Sequence, residues 1–206
     1  MIEILKSGGF MMIPLLITSV IGVAIILERF ILLRRKKVIP EDLLLTISHL
    51  KNEGDFQNLR NLCVSKPSAF PNLIVDCIDN RDLNREELKE YMEDQGRHGV
   101  RELQRGLGAL EAIGGTAPLM GLLGTIFGMI KVFQTINNMG VGQTKALSGG
   151  ISEALITTAT GLIIAIPVLL FYYYLNSRVE DYILQIEKHL LVLIHKLKDK
   201  NISQKP

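Results

Sequence analysis

The hydrophobic positions of this 206-residue chain fall into three long blocks separated by strongly polar stretches. Ser7–Leu27, Ala112–Ile130 and Ala154–Ser177 carry no Asp, Glu, Lys or Arg over 21, 19 and 24 residues. A hydrocarbon core about 30 Å thick takes roughly 20 apolar helical residues to cross. Three such blocks in one chain predict a polytopic helical membrane protein rather than a soluble domain. The first block is longer than the apolar core of a cleaved signal, and its basic cluster, Arg34-Arg35-Lys36-Lys37, lies on the far side. It therefore reads as a retained anchor, with Glu28 and Arg29 near its inner end and Pro40 stopping its helix.

The polar stretches are patterned too. Leu43, Leu44, Ile47 and Leu50 recur at helical spacing, as do Phe56, Leu59, Leu62 and Cys63, and then Leu73, Ile74, Cys77 and Ile78. Small packed helices are expected there. Asn84 followed three residues later by Glu87 resembles a capping box. No strong stop follows before Asn137, which predicts one helix of about 50 residues, about 75 Å at 1.5 Å per residue. Asn137, Asn138, Gly140, Gly142, Gly149 and Gly150 suit a connection, with Ser148 a plausible cap for the third span. Beyond that span Ile183, Ile186, Leu190, Leu193 and Leu197 form a short heptad seam. Residues 1–9 are short and amphipathic, and the tail 199–206 is polar.

The expected fold is thus all-α, with three transmembrane helices, the second and third extended into the cytoplasm as long helices. Its divisions are 1–39 (N-terminal segment and first span), 40–111 (cytoplasmic helical loop and start of the long helix) and 112–136 (second span). Then follow 137–150 (periplasmic connection), 151–177 (third span) and 178–206 (cytoplasmic helix and tail).

Charge gives the orientation. Lys and Arg number 13 over residues 34–111 and 6 over 176–206, against Lys6 before the first span and Lys131 and Lys145 between the other two. The positive-inside rule then places the N-terminus outside and the C-terminus in the cytoplasm. The net charge of +2 speaks against a nucleic-acid coat. Cys63 and Cys77 match no zinc spacing, and His49, His98, His189 and His195 pair with no metal motif. With no P-loop or nucleophile elbow either, an enzyme is not expected.

The second and third spans are rich in small residues. Gly114, Pro118, Gly121, Thr125 and Gly128 share one side of the second, Gly124 and Gly128 form a GxxxG, and Ala154, Thr158, Gly161 and Ala165 line the third. Such faces admit close helix approach, and the bland reading is packing alone. Glu153, expected about one turn inside the start of the third helix, is either an interfacial acid favoured by a helix start or an ion-path residue. No ionisable side chain lies near the midplane of any span. Either the chain moves no ions or a partner supplies the titrating group.

The runs GTAPLMGLLGTIFGMIKVFQTI at 115–136 and GISEALITTATGLIIAIPVLLFYYY at 150–174 resemble the MotA/TolQ/ExbB proton-channel family, its ExbB/TolQ branch most. Three spans rather than four speak against the flagellar MotA type. The resemblance implies a pore subunit of a proton-motive-force-driven motor in the bacterial inner membrane, energising envelope processes such as outer-membrane transport. It implies a homopentamer whose second and third spans surround a dimer of an ExbD/TolR-like single-span partner, with a TonB-like transducer as a further candidate. The partner's membrane aspartate would carry the proton, and no cofactor is required. It further implies that Thr125, Thr158 and Glu153 belong to the pore or proton pathway, and that Gly121, Gly124, Gly128, Ala154 and Gly161 pack its wall. Phe127 stands where many members have tryptophan, and Lys131 and Lys145 near the outer mouth are departures. The alternative is a structural oligomeric scaffold without ion conduction.

Overall fold

A computed structural model describes residues 8–50, 53–140 and 144–203. The amphipathic stretch before Gly8, Gly142 in the connection and the end of the tail after Ser203 lie outside the described residues, as do the side chains of Lys6 and Lys145. Among the described residues every regular element is a helix: α1 Met12–Leu32, α2 Arg35–Val38, α3 Glu41–His49, α4 Glu53–Val64, α5 Ala69–Asp79, α6 Arg85–Gln104, α7 Leu107–Met139 and α8 Thr144–Ser203. Three of them, α1, α7 and α8, are long and apolar enough to cross a membrane. The chain divides into two compact units: the residues up to Arg29 with Gly106–Tyr174, and Phe30–Arg105 with the residues from Leu175 onward.

The first unit holds the spans. In α1 the buried positions Met12, Leu15, Gly22, Ile26 and Arg29 follow one helical stripe. Ile17, Val20, Val23 and Leu27 are apolar and exposed. The most apolar windows of α1, α7 and α8 are only 22%, 22% and 28% buried within the chain. An apolar surface of that extent is covered by lipid or by other chains.

The second unit is a helical core of ordinary kind. Leu43 and Ile47, Phe56, Leu59 and Cys63, and Leu73, Ile74, Cys77 and Ile78 are all buried, so each of the three periodic sets faces inward. The heptad seam packs within this same unit: Ile186, Leu190, Leu193 and Leu197 are buried by its other helices. Polar ties close the packing. Lys196 Nζ donates to Ile47 O (2.9 Å) and Ser48 O (2.6 Å), carbonyls at the C-terminal end of α3, where a cation is favoured. Lys198 Nζ likewise donates to the carbonyls of Arg81 and Leu83. Tyr182 Oη donates to Leu33 O at 3.0 Å. Arg60 grips Asp79 with two bonds of 2.6 and 2.9 Å and holds that carboxyl below its usual range.

Both cysteines are buried and unpaired. Burial pushes each thiol up to about 12. A thiol reagent at neutral pH is therefore expected to leave Cys63 and Cys77 unmodified in the folded protein and to label both after denaturation, a difference that mass spectrometry reads directly.

Four local expectations are corrected. The capping box at Asn84 is present, with Glu87 N donating to Asn84 Oδ1 at 2.8 Å and Asn84 N to Glu87 Oε2 at 3.1 Å. The helix it starts does not run on to Asn137, however. It ends at Gln104, and Gly106 takes φ +78° before α7 begins. That left-handed conformation costs a glycine nothing and other residues about 1–2 kcal/mol. Pro40 does not stop the first span either. α1 ends at Leu32, and Pro40 sits at the N-cap of α3, where its fixed φ of −61° suits a helix start. Ser148 is not a cap, because α8 already begins at Thr144. For the same reason Glu153 lies about two and a half turns into its helix rather than one.

Candidate functional site

The small-residue faces of α7 and α8 meet. A Cβ placed on Gly161 would lie 2.6 Å from Ala117 O and 3.1 Å from the Gly121 Cα. One on Gly121 would lie 3.0 Å from both Thr157 O and the Thr158 Cα. On Gly128 it would meet the Ala154 Cβ at 2.8 Å and Gly150 O at 3.0 Å. Here backbone touches backbone, with no flexible side chain to give way. Gly124 receives the Thr157 side chain, whose Cβ would stand 2.6 Å from an added methyl. All five predicted packing residues, Gly121, Gly124, Gly128, Ala154 and Gly161, are buried in this seam.

Most threonine hydroxyls here return to their own helix. Thr157 donates to Glu153 O (2.7 Å) and Thr160 to Ile156 O (2.8 Å). Thr125 donates to Leu122 O at 2.6 Å. Thr158 crosses the seam instead, donating to Gly121 O at 3.0 Å. Thr125 and Thr158 are each half-buried, and each has spent its one hydroxyl proton on a carbonyl. What they present outward is lone pairs, so they can accept from a further group but not donate to it.

Glu153 belongs to a different constellation. Its Oε2 accepts from Lys131 Nζ at 2.8 Å, with Glu153 22% and Lys131 66% exposed. Its Oε1 fills the place where a Cβ on Gly9 would be, and Gly9 has φ +68°. Gly8, Phe10, Met11, Gly124 and Phe127 join Glu153 around a recess of about 230 Å³. Thr158 follows Glu153 by five residues, which is about 140° around a helix at about 100° per residue. The two therefore flank the seam on opposite sides. The three predicted pathway residues are not brought to one point: Thr158 bonds across the seam, Thr125 bonds back to its own helix, and Glu153 is paired with Lys131 on the flank opposite Thr158.

The Lys131–Glu153 pair is missed by sequence reasoning, although Lys131 stands out as unusual at its position. Its signal is legible only once the register of α7 against α8 is known. Because the lysine is largely exposed, the pair is worth about 0.2–1 kcal/mol. A double-mutant cycle with Lys131→Met and Glu153→Gln, read by thermal unfolding in detergent, should return a coupling in that range. No coupling would show that the ion pair does not fix the register.

Comparison with known proteins bears on the same segments. The profile of the MotA/TolQ/ExbB proton channel family matches residues 64–188, which include all of the seam. The biopolymer transport protein ExbB of Neisseria gonorrhoeae is 41% identical over 93 residues, 43% of this chain and 42% of that protein, so the match spans less than half of the relative. The biopolymer transport protein ExbB-like 1 of Synechocystis sp. is 33% identical over 185 residues, covering 85% of this chain and 70% of its own length. A solved structure of C. jejuni MotAB aligns over 89% of this chain and 66% of that one at 21% identity, with a TM-score of 0.46.

Proposed function

This chain belongs to the MotA/TolQ/ExbB proton channel family, and from that premise we propose that it forms the wall of a proton-driven inner-membrane motor. It works as a homopentamer around two copies of an ExbD/TolR-like single-span partner, with its N-terminus outside and its C-terminus in the cytoplasm. The proton is the coupling ion, and it is carried by an acid of the partner. The output is an envelope process of the outer-membrane-transport kind.

The observation that carries this reading is a pairing of absence and presence. The spans have no ionisable group of their own near mid-depth, yet α7 and α8 each carry a half-buried threonine, Thr125 and Thr158, whose hydroxyl proton is committed to a carbonyl. A carrier supplied from outside the chain resolves the first fact. The second gives that carrier something to meet. Thr125 and Thr158 can only accept, so they favour a protonated carboxyl or a water over a carboxylate. A partner acid moving past them would be stabilised in its neutral form there and would release its proton on leaving. One charge crossing 100 mV is worth about 2.3 kcal/mol, enough to bias such a step. Glu153, held by Lys131, acts as a fixed electrostatic element of the wall and keeps the two helices in register.

Native mass spectrometry of the assembly isolated gently from its host membranes tests the composition. Five copies of this chain with two of a small single-span protein bearing a membrane acid are expected. A monomer or dimer without such a companion would contradict the reading and favour the scaffold.

A further inference from the structure

At the end of α1 a buried cation faces the positive end of another helix with no acceptor between them. Arg29 is only 4% exposed, and among the described residues its buried Nε has no hydrogen-bond partner. Among the described residues its sole ion pair is one bond of 3.3 Å from Nη2 to Glu28, which is itself 55% exposed. A Cβ on Gly106 would lie 3.5 Å from that Nε and 4.0 Å from the guanidinium carbon. Gly106 is the N-cap of the 33-residue α7 and supplies no side-chain cap. The first amides of a helix have no partner within it, and they concentrate about half a positive charge there. The first α7 amide to find one is Leu110 N, bonded to Gly106 O at 3.2 Å.

The last turn of α1 is a favourable place for a cation, which accounts for the charge of Arg29 but not for its idle Nε. An unmet buried donor and a set of unmet amides of like sign, side by side, call for an anion that accepts from both. Space exists for it: nothing lies within 4 Å of where a Cβ on Gly108 would be.

We infer that Arg29 and the amino end of α7 hold the phosphate of an anionic lipid. The phosphate chemistry would suit a free ion equally, but position selects the lipid. The charge-free run of α1 ends at Leu27 and that of α7 begins at Ala112, so both components of the site stand at the margin of the apolar spans, where headgroups lie. This site goes beyond the proposed channel and is separate from its threonines.

The test is a native mass spectrometry titration of the intact assembly in neutral detergent with phosphatidylglycerol, a phosphate-free glycolipid of the same acyl chains, and inorganic phosphate. Phosphatidylglycerol should bind in preference to the glycolipid. Arg29→Gln should weaken it about tenfold or more, the usual scale for losing a hydrogen bond to a charged group. Glu28→Gln removes a competing exposed carboxylate and should tighten binding, which keeps the test decisive if Arg29→Gln fails to fold. Equal binding of the glycolipid, undiminished binding by Arg29→Gln, or no gain in Glu28→Gln would overturn the site. Displacement of the lipid by equimolar inorganic phosphate would overturn the lipid assignment.

Discussion

Replacing Thr158 with valine should reduce the output driven by the proton-motive force by about tenfold or more while leaving the assembly intact. Valine keeps the shape of threonine and removes the oxygen. The lost seam bond to Gly121 O is one of many contacts between α7 and α8. Cross-helix hydrogen bonds in membranes average about 0.6 kcal/mol, so assembly should survive. The acceptor offered to the passing acid disappears altogether, and one such interaction at about 1.4 kcal/mol corresponds to about tenfold in rate. Thr158→Ser retains the oxygen and should retain most of the activity. Thr125→Val should behave as Thr158→Val does, because its hydroxyl is committed in the same way. The measurement is uncoupler-sensitive growth or transport in the host, normalised to the amount of assembled complex. Full activity in both valine variants would remove the threonines from the pathway.

The second large effect is structural. Gly161→Ala places a methyl 2.6 Å from Ala117 O, and Gly161→Leu places a whole side chain there. The obstructing atoms belong to backbone, so relief requires the helices to part. The alanine variant should lose about 1–3 kcal/mol, and the leucine variant should yield no folded protein. Gly115→Ala is the control: it lies inside the other spanning helix of the seam, α7, but nothing stands within 4 Å of the added Cβ, and it should gain about 0.5–1 kcal/mol from helix propensity. Thermal unfolding in detergent separates the three. A stable Gly161→Leu would mean that the close seam does not exist.

What the sequence made legible is what periodicity and charge encode. The three apolar blocks became α1, α7 and α8, and the inward positions of the second unit follow from spacing alone. The Asn84 cap was readable because its two hydrogen bonds are local. The break at Gly106 was not, since a lone glycine amid helix formers is common and only its positive φ makes it a stop. The small-residue faces announced close packing, but which glycine meets which threonine depends on register between segments far apart in sequence. The same holds for Lys131 and Glu153, 22 residues apart, and for Arg29. The sequence places Arg29 only near the inner end of the first span, whereas its burial beside Gly106 depends on packing of α1 against α7.

In the proposed division of labour this chain supplies the channel wall and a partner supplies the acid. Proton flux into vesicles under an imposed potential tests it most directly, comparing the isolated chain, the complex as purified from its host, and the complex carrying Thr158→Val. Flux is expected through the complex, little through the chain alone, and a loss of about tenfold or more with the valine. Equal flux with and without the partner, or none through the intact complex, would contradict it.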